Sequence, residues 1–84
     1  MDERVQNIVE ALEELAHDST VPRNIKAKVD EVVTVLKADD GEDVSIKINK
    51  ALSTLDEISD DTNLQAYTRT QIWNIASMLE MIGT

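Results

Sequence analysis

Apolar residues recur at steps of three and four in four successive runs, separated by short polar links. The first run is Val5, Ile8, Val9, Leu12, Leu15 and Ala16. The second is Ile25, Val29, Val32, Val33 and Leu36, and the third is Val44, Ile48, Ala51, Leu52, Leu55 and Ile58. The fourth is Leu64, Ile72, Ile75, Ala76, Leu79 and Ile82. Such spacing places each run on one face of an α-helix. With only 2 Gly and 1 Pro in 84 residues, a many-stranded β fold lacks its turn material. Val44-Ser45-Ile46-Lys47-Ile48 alternates like a strand, but its stripe continues to Ile58 and a lone strand has no partner, so it is read as helix.

The expected architecture is all-α: an up-and-down four-helix bundle over a single domain, 1–84. The helices are placed near 3–18, 22–37, 43–58 and 62–82. Asp2 is the expected cap of the first and Ser19 or Thr20 of the second, with Pro22 in its first turn. Asp39-Asp40-Gly41 breaks the chain before the third helix. Thr62 with Gln65 forms a capping-box pattern for the fourth, and Asp60 and Asp61 suit its positive end.

The two halves align at a shift of 43 residues. Val5 falls on Ile48, Val9 on Leu52, Leu12 on Leu55 and Leu15 on Ile58. Asp18-Ser19-Thr20-Val21 falls on Asp61-Thr62-Asn63-Leu64, and Lys26 on Arg69. A helical hairpin repeated at this period is HEAT-like. Two units are too few for a solenoid, so closure on each other as a bundle is preferred over a HEAT-like pair.

Three strings resemble a known family: Val21-Pro22-Arg23-Asn24-Ile25, Leu55-Asp56-Glu57-Ile58-Ser59-Asp60-Asp61 and Arg69-Thr70-Gln71-Ile72-Trp73. They look like uncharacterised protein family 0147, a set of short archaeal proteins, and the resemblance covers nearly the whole chain. Thr62 stands where that family is expected to carry proline. The resemblance implies a compact helical bundle from an archaeal cytoplasm, and it implies no activity.

Charge and composition narrow the function classes. The formal net charge is −9, and both halves are acidic. Phosphate backbones call for a positive face, so nucleic acid is disfavoured. There is no cysteine, which removes disulfides and thiolate chemistry. Met1-Asp2-Glu3-Arg4 lacks an apolar signal core, and no apolar run approaches a membrane span, so the cytoplasm is the default.

No catalytic constellation, cofactor motif or small-molecule site is evident. Glu14-Leu15-Ala16-His17 matches Glu-x-x-His, the di-iron bundle motif. Helical geometry turns Glu14 and His17 away from the stripe, however, and the equivalent positions in the second half, Glu57 and Asp60, include no histidine. Asp39-Asp40-Gly41-Glu42-Asp43 fails as a calcium loop, with Gly41 at its third place and Lys50 where a bidentate Glu belongs. Arg23, Lys26 and Lys28 form a local basic group, too small against the overall charge for strong phosphate binding.

The residues that break the pattern point instead to protein partners. Ile46 lies almost opposite its stripe, and Trp73 sits roughly 140° from the centre of its own. Tyr67, Met78 and Met81 also fall off the stripe, and Trp73 aligns with Asp30, a position suited to water. Large amphipathic rings outside a core favour interfaces. The leading expectation is a non-enzymatic protein–protein interaction module, self-associating through the outer faces of helices three and four (Ile46, Tyr67, Trp73). The alternative is an acidic adaptor that docks on a basic protein or ribonucleoprotein through Asp56, Glu57, Asp60 and Asp61. A third is a metal-dependent accessory protein built on Glu14 and His17.

Overall fold

A computed structural model describes residues 3–38 and 41–83. Four helices follow in order: α1 Glu3–Ala16, α2 Arg23–Lys37, α3 Val44–Ser59 and α4 Ala66–Gly83. No described residue is in a strand, and the alternating segment 44–48 is helical. Each helix lies against two neighbours in the cyclic order α1, α2, α3, α4, while the diagonal pairs α1–α3 and α2–α4 do not meet. The α1–α4 seam is the least tightly packed of the four. A radius of gyration of 12.0 Å is that of a collapsed globule of this length, about 12 Å, so the hairpins close as a bundle and do not extend as a solenoid.

The core is where the periodicity places it. Leu12, Ile25, Leu55, Ile58, Ile72 and Leu79 are fully enclosed, with Val9, Val29 and Val32 among them. Val44 is the exception to its stripe: it is 56% exposed. It opens the first turn of α3, where no preceding turn of helix covers it. Thr68 is the one buried polar residue among those described, and it occupies the place that Ile25 holds in the first hairpin.

The helix ends differ from expectation in an instructive way. Neither Ser19 nor Thr20 caps α2; Pro22 is the N-cap residue and makes no side-chain bond. Thr62 and Gln65 do not form a capping box, and α4 starts at Ala66. In both hairpins an aspartate organises the link instead. The Asp18 carboxylate accepts from Thr20 N–H at 2.8 Å, and that of Asp61 accepts from Asn63 N–H at 2.8 Å. The carbonyls of Asp18 and Asp61 then accept from Val21 and Leu64 N–H. Both Val21 and Leu64 are thereby tucked into the core. Each helix begins only after that side chain is seated, with Lys26 N–H on Pro22 O and Arg69 N–H on Gln65 O. The same bonds at a shift of 43 residues show the repeat in the backbone as well as in the apolar pattern. Asp43 caps α3 by accepting from Ser45 N–H, and Gly41 takes φ +79° before it. Asp2, Asp39 and Asp40 lie outside the described residues.

Basic side chains serve the carbonyl ends of the helices, where cations are favoured. Lys47 Nζ donates to Ala38 O at the end of α2. Arg69 Nε donates to Ser59 O at 3.0 Å, and a guanidinium nitrogen donates to Asp61 O at 2.9 Å, closing α3. Arg69 therefore offsets the local misfit of Asp56, Glu57, Asp60 and Asp61 near a negative helix end.

Leu55→Ala is expected to lower unfolding free energy by about 2–5 kcal/mol. Arg69→Ala should cost about 1–3 kcal/mol, because it removes two charge-assisted bonds and takes from Ser59 O its side-chain donor, while Asp61 O keeps the bond from Leu64 N–H. Val44→Ser should stay within about 0.5 kcal/mol. Urea midpoints at constant slope measure all three, and a Val44→Ser loss equal to that of Leu55→Ala would refute its exposed placement.

Candidate functional site

The residues that depart from the bundle pattern fall on three surfaces. The first is the outer face of the second hairpin. Trp73 projects from the middle of α4 and is 56% exposed, and Ile46, in the first turn of α3, is 48% exposed. Tyr67, Met78 and Met81 are exposed too. These side chains do not form one continuous patch. Tyr67 stands in the first turn of α4, at the end of the bundle where α3 finishes. Ile46 lies 13 residues before that end, roughly 20 Å away along the axis. Around α4, Tyr67 is turned about 120° from Trp73, onto the flank that faces α1.

The second surface is the acidic corner at the end of α3. The structure brings Asp56, Glu57 and Asp60 together there, but part of the charge is already engaged. Glu57 pairs with Lys28 of α2 at 3.6 Å, and Asp61 accepts from the Asn24 side chain at 3.2 Å. Asp60 is the C-cap of α3, with its N–H on the Asp56 and Ile58 carbonyls. Asn24–Asp61 and Lys28–Glu57 together clasp the α2–α3 seam. The basic group near the start of α2 is split in use: Lys28 belongs to this clasp, and Lys26 lies in the field of Asp18.

The third surface, which the amino-acid pattern did not single out, is a groove in the α1–α4 seam. It encloses about 550 Å³, with Glu14, His17 and Asp18 on one side, Tyr67, Gln71 and Asn74 on the other, and Ala11, Leu15 and Ile75 at its base. Gln71 donates to the Tyr67 hydroxyl at 3.1 Å. At the other end of the same seam, Ile8, Met78, Met81 and Ile82 line a smaller apolar hollow of about 200 Å³, flanked by Arg4 and Asn7. The Glu14 and His17 side chains are exposed, and the His17 ring Nδ1 lies 2.7 Å from its own helix carbonyl, Glu13 O. Among the described residues no three His, Cys, Asp or Glu side chains converge on a point where a metal ion could sit. No described helix is long and apolar enough to cross a membrane.

The ionisation of Asp18 is set by the bonds of its own link. The Thr20 hydroxyl donates to its carboxylate at 2.7 Å, and the Thr20 N–H donates as well. These bonds, with a smaller contribution from Lys26 and against a slight desolvation, hold the Asp18 carboxyl below the ordinary aspartate range. A carboxyl depressed on folding stabilises the protein above its unfolded pKa, and that contribution is lost as pH falls through the depressed folded value. Thr20→Val removes the largest contribution. A carboxyl NMR titration should then show Asp18 moving up towards the ordinary range, with the backbone bond from residue 20 leaving it still somewhat depressed.

Comparison with known proteins matches this arrangement to one family. The sequence matches the Uncharacterised protein family (UPF0147) over residues 1–82. A UPF0147 protein of Methanocaldococcus jannaschii is 42% identical over 82 residues, covering 96% of this chain and 86% of that protein. Another from Archaeoglobus fulgidus is 40% identical over 79 residues, covering 94% and 88%. One from Thermococcus kodakarensis is 37% identical and covers 98% and 99%. The crystal structure of a protein of unknown function, MMP1188, superposes with a TM-score of 0.90 at 40% identity, over 98% of this chain and 92% of that one. With its four-helix fold and near full-length matches to these archaeal proteins, the chain belongs to the uncharacterised protein family UPF0147.

Proposed function

We propose that this protein is a non-enzymatic interaction module that associates with a second copy of itself through the outer faces of α3 and α4. The observation that carries the reading is an asymmetry between the two hairpins. Every large apolar side chain exposed among the described residues lies on the second hairpin: Val44, Ile46, Tyr67, Trp73, Met78 and Met81. The positions that align with Ile46, Tyr67 and Trp73 on the first hairpin are Glu3, Asn24 and Asp30. Two similar hairpins thus present water-compatible side chains at these positions on one and apolar ones on the other. Trp73 and Ile46 are large apolar side chains about half exposed where the aligned positions are acidic, and a tryptophan so placed suits an interface. The first hairpin, with the acidic α1, keeps the opposite side soluble.

The non-enzymatic part of the reading rests on how the single histidine is used. His17 is engaged with the carbonyl of its own last helical turn, and the carboxylates near it are spread along exposed faces. General acid–base work needs an opposed, positioned pair, and that arrangement is not built around it.

Light scattering after gel filtration tests self-association. Wild type should run at twice the 9.4 kDa chain mass, and Trp73→Asp should run as a folded monomer with unchanged helical circular dichroism. Ile46→Asp should weaken the dimer as well. A monomeric wild type at high concentration would overturn the reading.

A further inference from the structure

The repeat allows the two seams between hairpins to be compared position by position. Closing two similar hairpins into a ring relates the α2–α3 seam to the α4–α1 seam. A shift of 43 residues carries Asn24 to Tyr67 and Lys28 to Gln71, and the reverse shift carries Asp61 to Asp18 and Glu57 to Glu14. In the α2–α3 seam these four positions form the clasp: Asn24 to Asp61 at 3.2 Å, and Lys28 to Glu57 at 3.6 Å. In the α4–α1 seam the same four positions line the groove of about 550 Å³. The two acids are kept, but the amide donor and the cation are replaced by Tyr67 and Gln71, which bond to each other. Among the described residues the Glu14 carboxylate has no hydrogen bond or ion pair, its backbone carbonyl alone accepting from His17 N–H.

The charges around the groove agree. α1 carries four glutamates against one arginine, and α4 has one acid and one base. α2, with four bases and two acids, is the one helix with net positive charge, and it lies on the far side of α1. The α1–α4 groove is thus an acidic cleft in which Lys26 bears on Asp18, while no cation stands opposite Glu14 in the place that Lys28 takes opposite Glu57. Its base is apolar, through Leu15 and Ile75, and its rim carries an aromatic ring. A long cationic side chain matches both features, its stem lying on the apolar base and ring while its head meets the carboxylates.

We propose that the α1–α4 groove is a docking site for a basic side chain, an arginine or lysine, presented by a protein partner and held between Glu14 and Asp18 in the place that Lys28 takes in the other seam. This surface lies apart from Trp73 and Ile46, so the proposal stands whether or not the protein self-associates.

The probe is a blocked alanine-rich hexapeptide with two adjacent arginines, titrated into the isotopically labelled full chain at low ionic strength, beside its citrulline twin. The expected result is saturable amide shifts centred on Glu14, Asp18, Tyr67 and Gln71, absent with citrulline. Glu14→Gln with Asp18→Asn should weaken binding about tenfold, the scale of a lost charge-assisted contact. Gln71→Lys restores the internal cation and should weaken binding similarly, while Glu57→Gln should change it less than about twofold. Shifts spread evenly over the acidic surface, equal binding of citrulline, or Gln71→Lys binding as wild type would each overturn the proposal. So would loss confined to Asp56→Asn and Asp60→Asn, which would place the basic partner on the α3 corner. The wild-type shift map decides the question even if a variant is poorly folded.

Discussion

One apolar core, built in near-equal parts from four short helices, carries this structure. α1 gives Leu12, α2 gives Ile25, α3 gives Leu55 and Ile58, and α4 gives Ile72 and Leu79, all essentially closed to water. At 14 to 18 residues the helices draw most of their stability from packing and little from helix formation alone. Each therefore depends on the neighbours that cover its stripe, and the cyclic packing follows from that mutual dependence. A domain of this size has little stability in reserve. Polar detail at the helix ends accordingly matters more than it would in a larger protein.

That detail is concentrated where each hairpin turns. Asp18 and Asp61 use their side chains and carbonyls to fold the link and press Val21 and Leu64 into the core. The links are equivalent, yet their surroundings have diverged. Around Asp61, Asn24 and Arg69 add bonds that tie α2, α3 and α4 together. Around Asp18 the opposite wall is Tyr67 and Gln71, and a groove stands open. One scaffold thus holds a closed seam and an open one, built from the same positions with different side chains.

The distribution of polarity follows the same division. Acidic residues dominate α1, cations gather on α2, and exposed apolar side chains are confined to the second hairpin among the described residues. Of the α2 cations Lys28 pairs across the α2–α3 seam and Lys26 bears on Asp18, while Arg23 and Lys37 are exposed. The molecule therefore has an acidic side with a cleft and a side with apolar projections, each suited to a different kind of contact.

Helix number, core membership and the repeat were legible in the sequence, because burial of a helical face imposes a period that any reader of the chain can count. Membership of the family was legible as well, in the strings around Pro22, Asp56 and Trp73. The same period put Trp73 and Ile46 off their stripes, but only the packing shows that both are exposed and that Trp73 is not covered at a helix rim. The helix starts were not legible. Ser19, Thr20, Thr62 and Gln65 are all good capping types, and only the folded chain shows that Asp18 and Asp61 take control of the links so that the buried Val21 and Leu64 come first. Val44 belongs to the stripe by period but lies in the first turn of its helix, where coverage depends on the neighbours and not on spacing. Which carboxylates are neutralised was likewise decided by tertiary structure. Glu57 and Glu14 are equivalent in the sequence, and one is paired while the other is not because a cation sits across one seam and an amide across the other. Local pattern determines which face of each helix is buried, since it depends on a single element. The pairing of charges and the opening of the groove depend on which two helices meet, and only their packing settles that.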